Sequence, residues 1–250
     1  INAIHGNAAI SAFAKGGQWA MAFEIMRMIV EARAELDIVT YNSALNVLRA
    51  AAEWRAALQL LNDMDVASMD MDTITLSTSI STCARAGEWV QALALFHEFE
   101  GRAVPRDTIA FSAAISSCEK GHQWRLGLEL LTAMEHEKVH IDTISWSVAI
   151  STCEKCGRWQ DAVHLFNQIA RFRVTVDTTL YNATISACEK GHAWRHAVAL
   201  FKSASSLRIE PSLVTFNAVI SALEKGGEWP QALGFLDVLR GTRITPDAVT

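Results

Sequence analysis

The sequence predicts an all-α solenoid of stacked helix–turn–helix hairpins, and three observations predict it. Trp19, Trp54, Trp89, Trp124, Trp159, Trp194 and Trp229 stand 35 residues apart without a single deviation. A fixed period of this length marks one small unit copied along the chain, each copy packing on its neighbours. Within each copy the apolar residues recur at helical spacing, in two runs separated by a break of small residues. Three of the four prolines, Pro105, Pro211 and Pro246, fall in the polar stretch that closes a copy.

Residues 38–72 show the elements in order. Tyr41, Ala44, Leu45 and Leu48 form the apolar face of a first helix. Ala51-Ala52 follows, replaced by Gly16-Gly17, Gly121 and Gly226-Gly227 in sister copies, a place for that helix to stop. A second amphipathic run starts at Trp54 and continues through Ala57, Leu58 and Leu61. Pro230, directly after Trp229, suits the first turn of this second helix, where a missing N–H costs nothing. The tryptophans read as rings wedged between adjacent hairpins, since Ala and Leu-like residues follow three and four positions later. Trp146 shares its position with Tyr41, Phe111, Tyr181 and Phe216 and reads as core.

The whole-chain properties narrow the function. The chain has 250 residues, which the interval divides into about seven units of one array. Half the residues are apolar, yet no run approaches the roughly 18 uncharged apolar residues of a membrane helix. The chain starts at Ile1 and stops three residues into an eighth copy, so it reads as an excerpt of a longer protein. Cys83, Cys118, Cys153 and Cys188 are also 35 apart. Stacked helical layers lie about 8–10 Å apart, beyond the roughly 7 Å Cα limit for a disulfide. Phe13, Leu48 and Leu223 fill the same place elsewhere, so these cysteines read as small buried apolar residues. Cys153 and Cys156 form a lone C-x-x-C with no second pair and no histidine at ligand spacing. The pairs His192/His196 and His136/His140 read as surface helix positions. There is no Gly-rich phosphate loop, no H-E-x-x-H and no carboxylate cluster outside the repeat, so no catalytic residue, cofactor or metal is assigned.

Val39-Thr40-Tyr41-Asn42 and Val214-Thr215-Phe216-Asn217 open copies, Asp closes nearly all of them, and Thr245-Pro246-Asp247 ends the last. With the 35-residue period, these words resemble the pentatricopeptide repeat family in its plain, equal-length form. Tetratricopeptide repeats, the nearest relatives in shape, run at about 34 residues. The resemblance covers the whole chain without gaps and implies a right-handed superhelical solenoid. It sets repeats at 3–37, 38–72, 73–107, 108–142, 143–177, 178–212 and 213–247, with 248–250 opening an eighth.

Members of that family bind single-stranded RNA, one base per repeat. The resemblance implies that the fifth and last residues of a repeat read the base and that the second sandwiches it. The reading pairs are then Asn7 with Asp37, Asn42 with Asp72, Ser77 with Asp107, Ser112 with Asp142, Ser147 with Asp177, Asn182 with Ser212, and Asn217 with Asp247. The sandwich residues are Ile4, Val39, Ile74, Ile109, Ile144, Thr179 and Val214. On a helix, positions 2, 5, 9 and 13 fall within an arc of roughly 80°. Position 9 is small or polar (Ser11, Asn46, Ser81, Ser116, Ser151, Ser186, Ser221). Position 13 is basic in Lys15, Arg85, Lys120, Lys155, Lys190 and Lys225, with Ala50 the exception, and these cations are the candidate phosphate contacts.

Ionised Asp only accepts hydrogen bonds. It favours U and G, whose pairing edge carries a ring N–H, over C and A. Ser212 removes that fixed acceptor and admits C. A short Ser at position 5 leaves room for a purine, whereas Asn reaches a pyrimidine. The family's code agrees, and the array reads 5′-UUGGGCU-3′. A second reading of the aspartates is that they cap the following helix. The net charge of −5 and pI near 5.9 run against nucleic-acid binding. Glu119, Glu154, Glu189 and Glu224 stand beside the stripe lysines, so modest, salt-sensitive affinity is expected.

The expected partners are single-stranded RNA and RNA-processing proteins, with no membrane and no small-molecule substrate. The resemblance implies a role in RNA processing, stability or translation in a mitochondrion or chloroplast. Two alternatives stay open: a helical-repeat scaffold for protein partners, and the RNA-binding arm of a larger RNA-processing enzyme.

Overall fold

Helices begin where the 35-residue interval puts them. The computed structural model describes residues 3–14, 16, 18–31, 36–102, 104–172, 176–204, 207 and 209–240. Among the described residues there are fourteen helices and no strand. The first helices of the hairpins are α1 (Ala3–Phe13), α3 (Ile38–Ala51), α5 (Thr73–Ala86), α7 (Thr108–Lys120), α9 (Thr143–Lys155), α11 (Thr178–Lys190) and α13 (Leu213–Lys225). The second helices each open on a period tryptophan: α2 (Trp19–Glu31), α4 (Trp54–Val66), α6 (Trp89–Gly101), α8 (Trp124–His136), α10 (Trp159–Phe172), α12 (Trp194–Ser203) and α14 (Trp229–Arg240).

The chain forms two units, residues 1–121 with 132–140, and residues 122–131 with 141–250. In the first, α1 packs on α3, α3 on α5 and α5 on α7, while α2, α4 and α6 pack on the first helix of the next hairpin. The second repeats this plan: α9 packs on α11 and α11 on α13, with α10 against α9 and α11 and α12 against α11 and α13. Each core is filled by the same positions. Phe96 meets Phe111 edge-on at 4.8 Å in the first unit, and Phe201 meets Phe216 at 4.9 Å in the second. Tyr41, Phe111, Trp146, Tyr181 and Phe216 are all buried, as their shared position predicts. The Tyr181 hydroxyl donates to the Leu200 carbonyl at 2.7 Å, so its polar end is satisfied inside the core. Burial of each such ring contributes about 1.5–3 kcal/mol.

The first helices stop at the expected break, α3 at Ala51, α7 at Lys120 and α13 at Lys225. Gly121 and Gly226 end their helices in the right-handed region, and so do not need glycine's conformational freedom. The left-handed residue is the next one: Ala52, Gly87, His122, Gly157, His192 and Gly227. The residue after it closes the cap, as when Glu53 N–H donates to Leu48 O at 3.0 Å and Ala193 N–H to Cys188 O at 2.8 Å. Glycine at 121, 191 and 226 serves a different purpose. A Cβ there would lie 2.5, 2.1 and 2.3 Å from the rings of Trp89, Trp159 and Trp194. The tryptophans of one hairpin thus seat on the bare backbone of the next. Trp229 is 70% exposed, with no following hairpin over it among the described residues.

Cys83, Cys118, Cys153 and Cys188 are fully buried free thiols. Burial pushes Cys83 up to about 11 and Cys153 and Cys188 up to about 12, so all three stay protonated and inert at neutral pH. Cys156 is half-buried, and its thiol donates to the His122 carbonyl at 3.3 Å. No helix among the described residues is long and apolar enough to cross a membrane.

Candidate nucleic-acid interface

Among the described residues, the closing residue of a repeat caps the first helix of the next. Oδ1 of Asp37, Asp72, Asp107, Asp142 and Asp177 accepts the N–H of Thr40, Thr75, Ala110, Ser145 and Leu180, each at 2.8 Å. Ser212 does the same for Thr215 at 3.4 Å. The capping reading of the aspartates therefore holds, and it leaves the second oxygen uncommitted. Among the described residues, Oδ2 of Asp107, Asp142 and Asp177 accepts no hydrogen bond. A capped carboxylate is anchored by its near oxygen, so the far one has a fixed place.

The fifth residue is linked to that closing side chain in three repeats, directly in two and through a threonine in one. Asn42 Nδ2 lies 3.2 and 3.3 Å from the two oxygens of Asp72. Asn182 Nδ2 lies 3.4 Å from Ser212 Oγ. Asn7 and Asp37 are joined through the Thr40 hydroxyl, which is 2.7 Å from Asn7 Oδ1 and 2.7 Å from Asp37 Oδ1. The serines stand back. Ser77 donates to its own helix at Ile74 O, 3.3 Å away, and makes no hydrogen bond to Asp107. Ser147 and Asp177 are likewise unjoined among the described residues. Ser112 and Asn217 are half-buried on α7 and α13. Lys15, Asp247 and the side chain of Ile4 lie outside the described residues.

The thermal and acid behaviour of these carboxylates follows from their partners. At Asp37 the Thr40 hydroxyl is the largest influence and lowers the carboxyl against the opposing effect of burial. At Asp72 burial raises it most. The Thr75 amide and hydroxyl and the Asn42 amide together outweigh burial and hold it below its ordinary value. Both are ionised, acceptor-only groups at neutral pH.

Around these pairs the second positions stand out of the fold. Val39, Ile74, Ile109, Ile144 and Val214 are 54–63% exposed, apolar tips presented beside the polar pairs, and Thr179 is exposed too. Arg85 and Lys155 are exposed at position 13. Lys120 donates to the Arg85 carbonyl at 2.8 Å. Lys190 and Lys225 are paired with Glu154 and Glu189 at 2.9 and 2.8 Å. The partner is the glutamate of the preceding repeat, not the one beside the lysine in sequence. The same glutamates accept from Ser186 and Ser221 at 2.8 and 3.0 Å. Position 9 is thereby drawn into the same ladder. Sequence reading missed one participant, the third residue of the next repeat: Thr40, Thr75 and Thr215, all fully buried.

A repeated polar position, an exposed aliphatic tip and a cation, set at one interval on helical hairpins, define a helical-repeat protein with one periodic stripe along its first helices. Family models agree. "Pentatricopeptide repeat-containing protein" matches residues 1–99, "Pentatricopeptide repeat domain" matches 160–225, and "PPR repeat" matches 144–174 and 214–241. The chain belongs to the pentatricopeptide repeat family.

Among solved structures, the pentatricopeptide repeat protein PPR10 from maize is 23% identical over 97% of this chain and 35% of its own, with a TM-score of 0.72. The same maize protein in complex with an 18-nt psaJ RNA element is 22% identical over 100% of this chain and 35% of its own, with a TM-score of 0.61. The PPR domain of Arabidopsis thaliana protein-only RNase P 1, in complex with tRNA, is 13% identical over 70% of this chain and 93% of its own, with a TM-score of 0.62. These likenesses show the α-solenoid fold. The chain spans about a third of the maize protein's length, 35%. No curated protein matches the sequence.

Proposed function

We propose that this chain is a sequence-selective single-stranded RNA adaptor that reads one base per repeat, 5′-UUGGGCU-3′ from its first to its seventh repeat, as one array with the repeat limits given above. The observation that carries the reading is the Asn42–Asp72 pair, 3.2 Å apart beside the exposed tips of Val39 and Ile74. A donor amide next to an ionised acceptor matches uracil, whose ring N–H is flanked by carbonyls. Ser77 and Ser147, which do not reach Asp107 and Asp177, leave space for the larger guanine. Ser212 replaces the fixed acceptor with a hydroxyl that donates to the ring nitrogen of cytosine. Exposed aliphatic side chains between successive pairs suit base stacking. The RNA element bound by the maize protein and the tRNA bound by the Arabidopsis domain support RNA, in general, as the ligand.

In this reading the protein acts by occupying an RNA site in organellar RNA processing, stability or translation, within a mitochondrion or chloroplast, and no catalytic step is assigned to it. The test is direct: labelled UUGGGCU RNA against UUAAACU at fixed moderate salt. Preference for the first supports the reading. Equal or absent binding sinks it and favours a scaffold for protein partners.

A further inference from the structure

Asn at position 5 never occurs without a particular distant partner. Thirty-three residues after Asn7, Asn42 and Asn182 stand Thr40, Thr75 and Thr215. The same interval after Asn217 gives Thr250, which lies outside the described residues. After Ser77, Ser112 and Ser147 it gives Ala110, Ser145 and Leu180. The backbone of the helix start does not require threonine, since the same N-terminal turn forms over Ala110, Ser145 and Leu180. Threonine therefore follows the asparagine and not the cap.

The hydrogen bonds give the reason. Thr75 Oγ1 lies 2.8 Å from Asn42 Oδ1 and 2.9 Å from Asp72 Oδ1, and its single proton can serve only one of them. Ionised Asp72 accepts only, so the face of the amide towards it must be Nδ2. That turns Oδ1 to Thr75, whose one proton is shared, one acceptor at a time, between Asn42 Oδ1 and Asp72 Oδ1. In the Asn182 repeat the closing residue is Ser212, a donor and an acceptor, 3.4 Å from Nδ2. It imposes no orientation. There the 2.7 Å bond from Thr215 to Asn182 Oδ1 alone decides which end of the amide points away.

We propose that Thr40, Thr75 and Thr215 are positioning residues for base selection: each buried hydroxyl holds the preceding repeat's asparagine with its NH₂ towards the base. This rests on the RNA reading above. A held NH₂ donates to a pyrimidine carbonyl, whereas a flipped amide presents an acceptor and favours a base with an exocyclic amino group. The hydroxyls are fully buried and touch no base themselves. Threonine thirty-three residues on is thus part of the reading set wherever asparagine reads.

The test compares Thr215→Val and Thr215→Ser with the unaltered chain, using UUGGGCU, UUGGGAU (sixth base changed) and UUGAGCU (fourth base changed). The unaltered chain and Thr215→Ser are expected to discriminate at both positions. Thr215→Val is expected to lose roughly three- to tenfold discrimination at the sixth base alone, the worth of one hydrogen bond, with the fourth unchanged. Thr75→Val should lose less at the second base, because Asp72 still orients Asn42. Undiminished discrimination at the sixth base in Thr215→Val overturns the inference and leaves the RNA reading standing. No discrimination by the unaltered chain overturns both. If Thr215→Val does not fold, the transplant decides. Ser77→Asn with Ala110→Thr should turn the third base from G towards U more strongly than Ser77→Asn alone, and equal effects overturn the inference.

Discussion

Lys190 Nζ stands 2.9 Å from Glu154 Oε1, thirty-six residues earlier in the chain. Lys225 repeats the relationship with Glu189 at 2.8 Å. These two of the lysines on the candidate phosphate track are thus already neutralised in the free protein. These pairs are partly exposed, and such pairs contribute at most about 1 kcal/mol each, so phosphate can displace the glutamate.

Removing both glutamates, Glu154→Gln with Glu189→Gln, should raise RNA affinity a few-fold at low salt. It should also steepen the dependence of log K on log salt by up to about 0.7 per freed lysine. Melting should shift little. Binding measured across a salt series checks this, and an unchanged slope removes Lys190 and Lys225 from the phosphate contacts.

Gly191→Ala sets a methyl group against Trp159, where the Cβ would be 2.1 Å from the ring. Ala51, Ala86 and Cys156 occupy the equivalent place in other repeats, so the ring has another position available and the cost is repacking. We expect about 1–2 kcal/mol of lost stability in a urea titration, with base preference unchanged. Altered base preference at full stability would contradict the separation of the tryptophan seam from the reading stripe.

Asp72 is held below its ordinary value of 3.8. A lowered carboxyl contributes stability that is fully present above its unfolded value and drains away as pH falls through the folded one. Melting temperature should therefore hold from pH 7 to about pH 5 and fall below about pH 4. Asp72→Asn keeps a competent cap but loses the titrating group, so the acid loss should be smaller. An identical pH profile in the variant contradicts the assignment.

The sequence made the architecture legible because one ruler, the tryptophan interval, also fixes the helix starts. Closing aspartates were open to two readings, and the structure shows why both looked reasonable: Oδ1 of Asp107 caps Ala110 while Oδ2 is left over. The lysine partners were hidden. Sequence places Glu189 beside Lys190, but stacking brings up Glu154 instead. The break between the helices was legible too, but not the separate tasks within it: Gly121 makes room for the Trp89 ring and His122 takes the left-handed angle. Thr75 carried a signal, its fixed interval from Asn42, that becomes visible only once repeats are compared across their borders.

The central claim is that position 5 and the closing residue read one base per repeat. Changing Asp107, Asp142 and Asp177 to Asn tests it most directly, because Asn keeps the helix caps while replacing an acceptor-only group with one that also donates. Binding of UUGGGCU and UUAAACU should then reverse, with the variant preferring the adenine-containing RNA. A variant that keeps the guanine preference, at unchanged stability, would contradict the account.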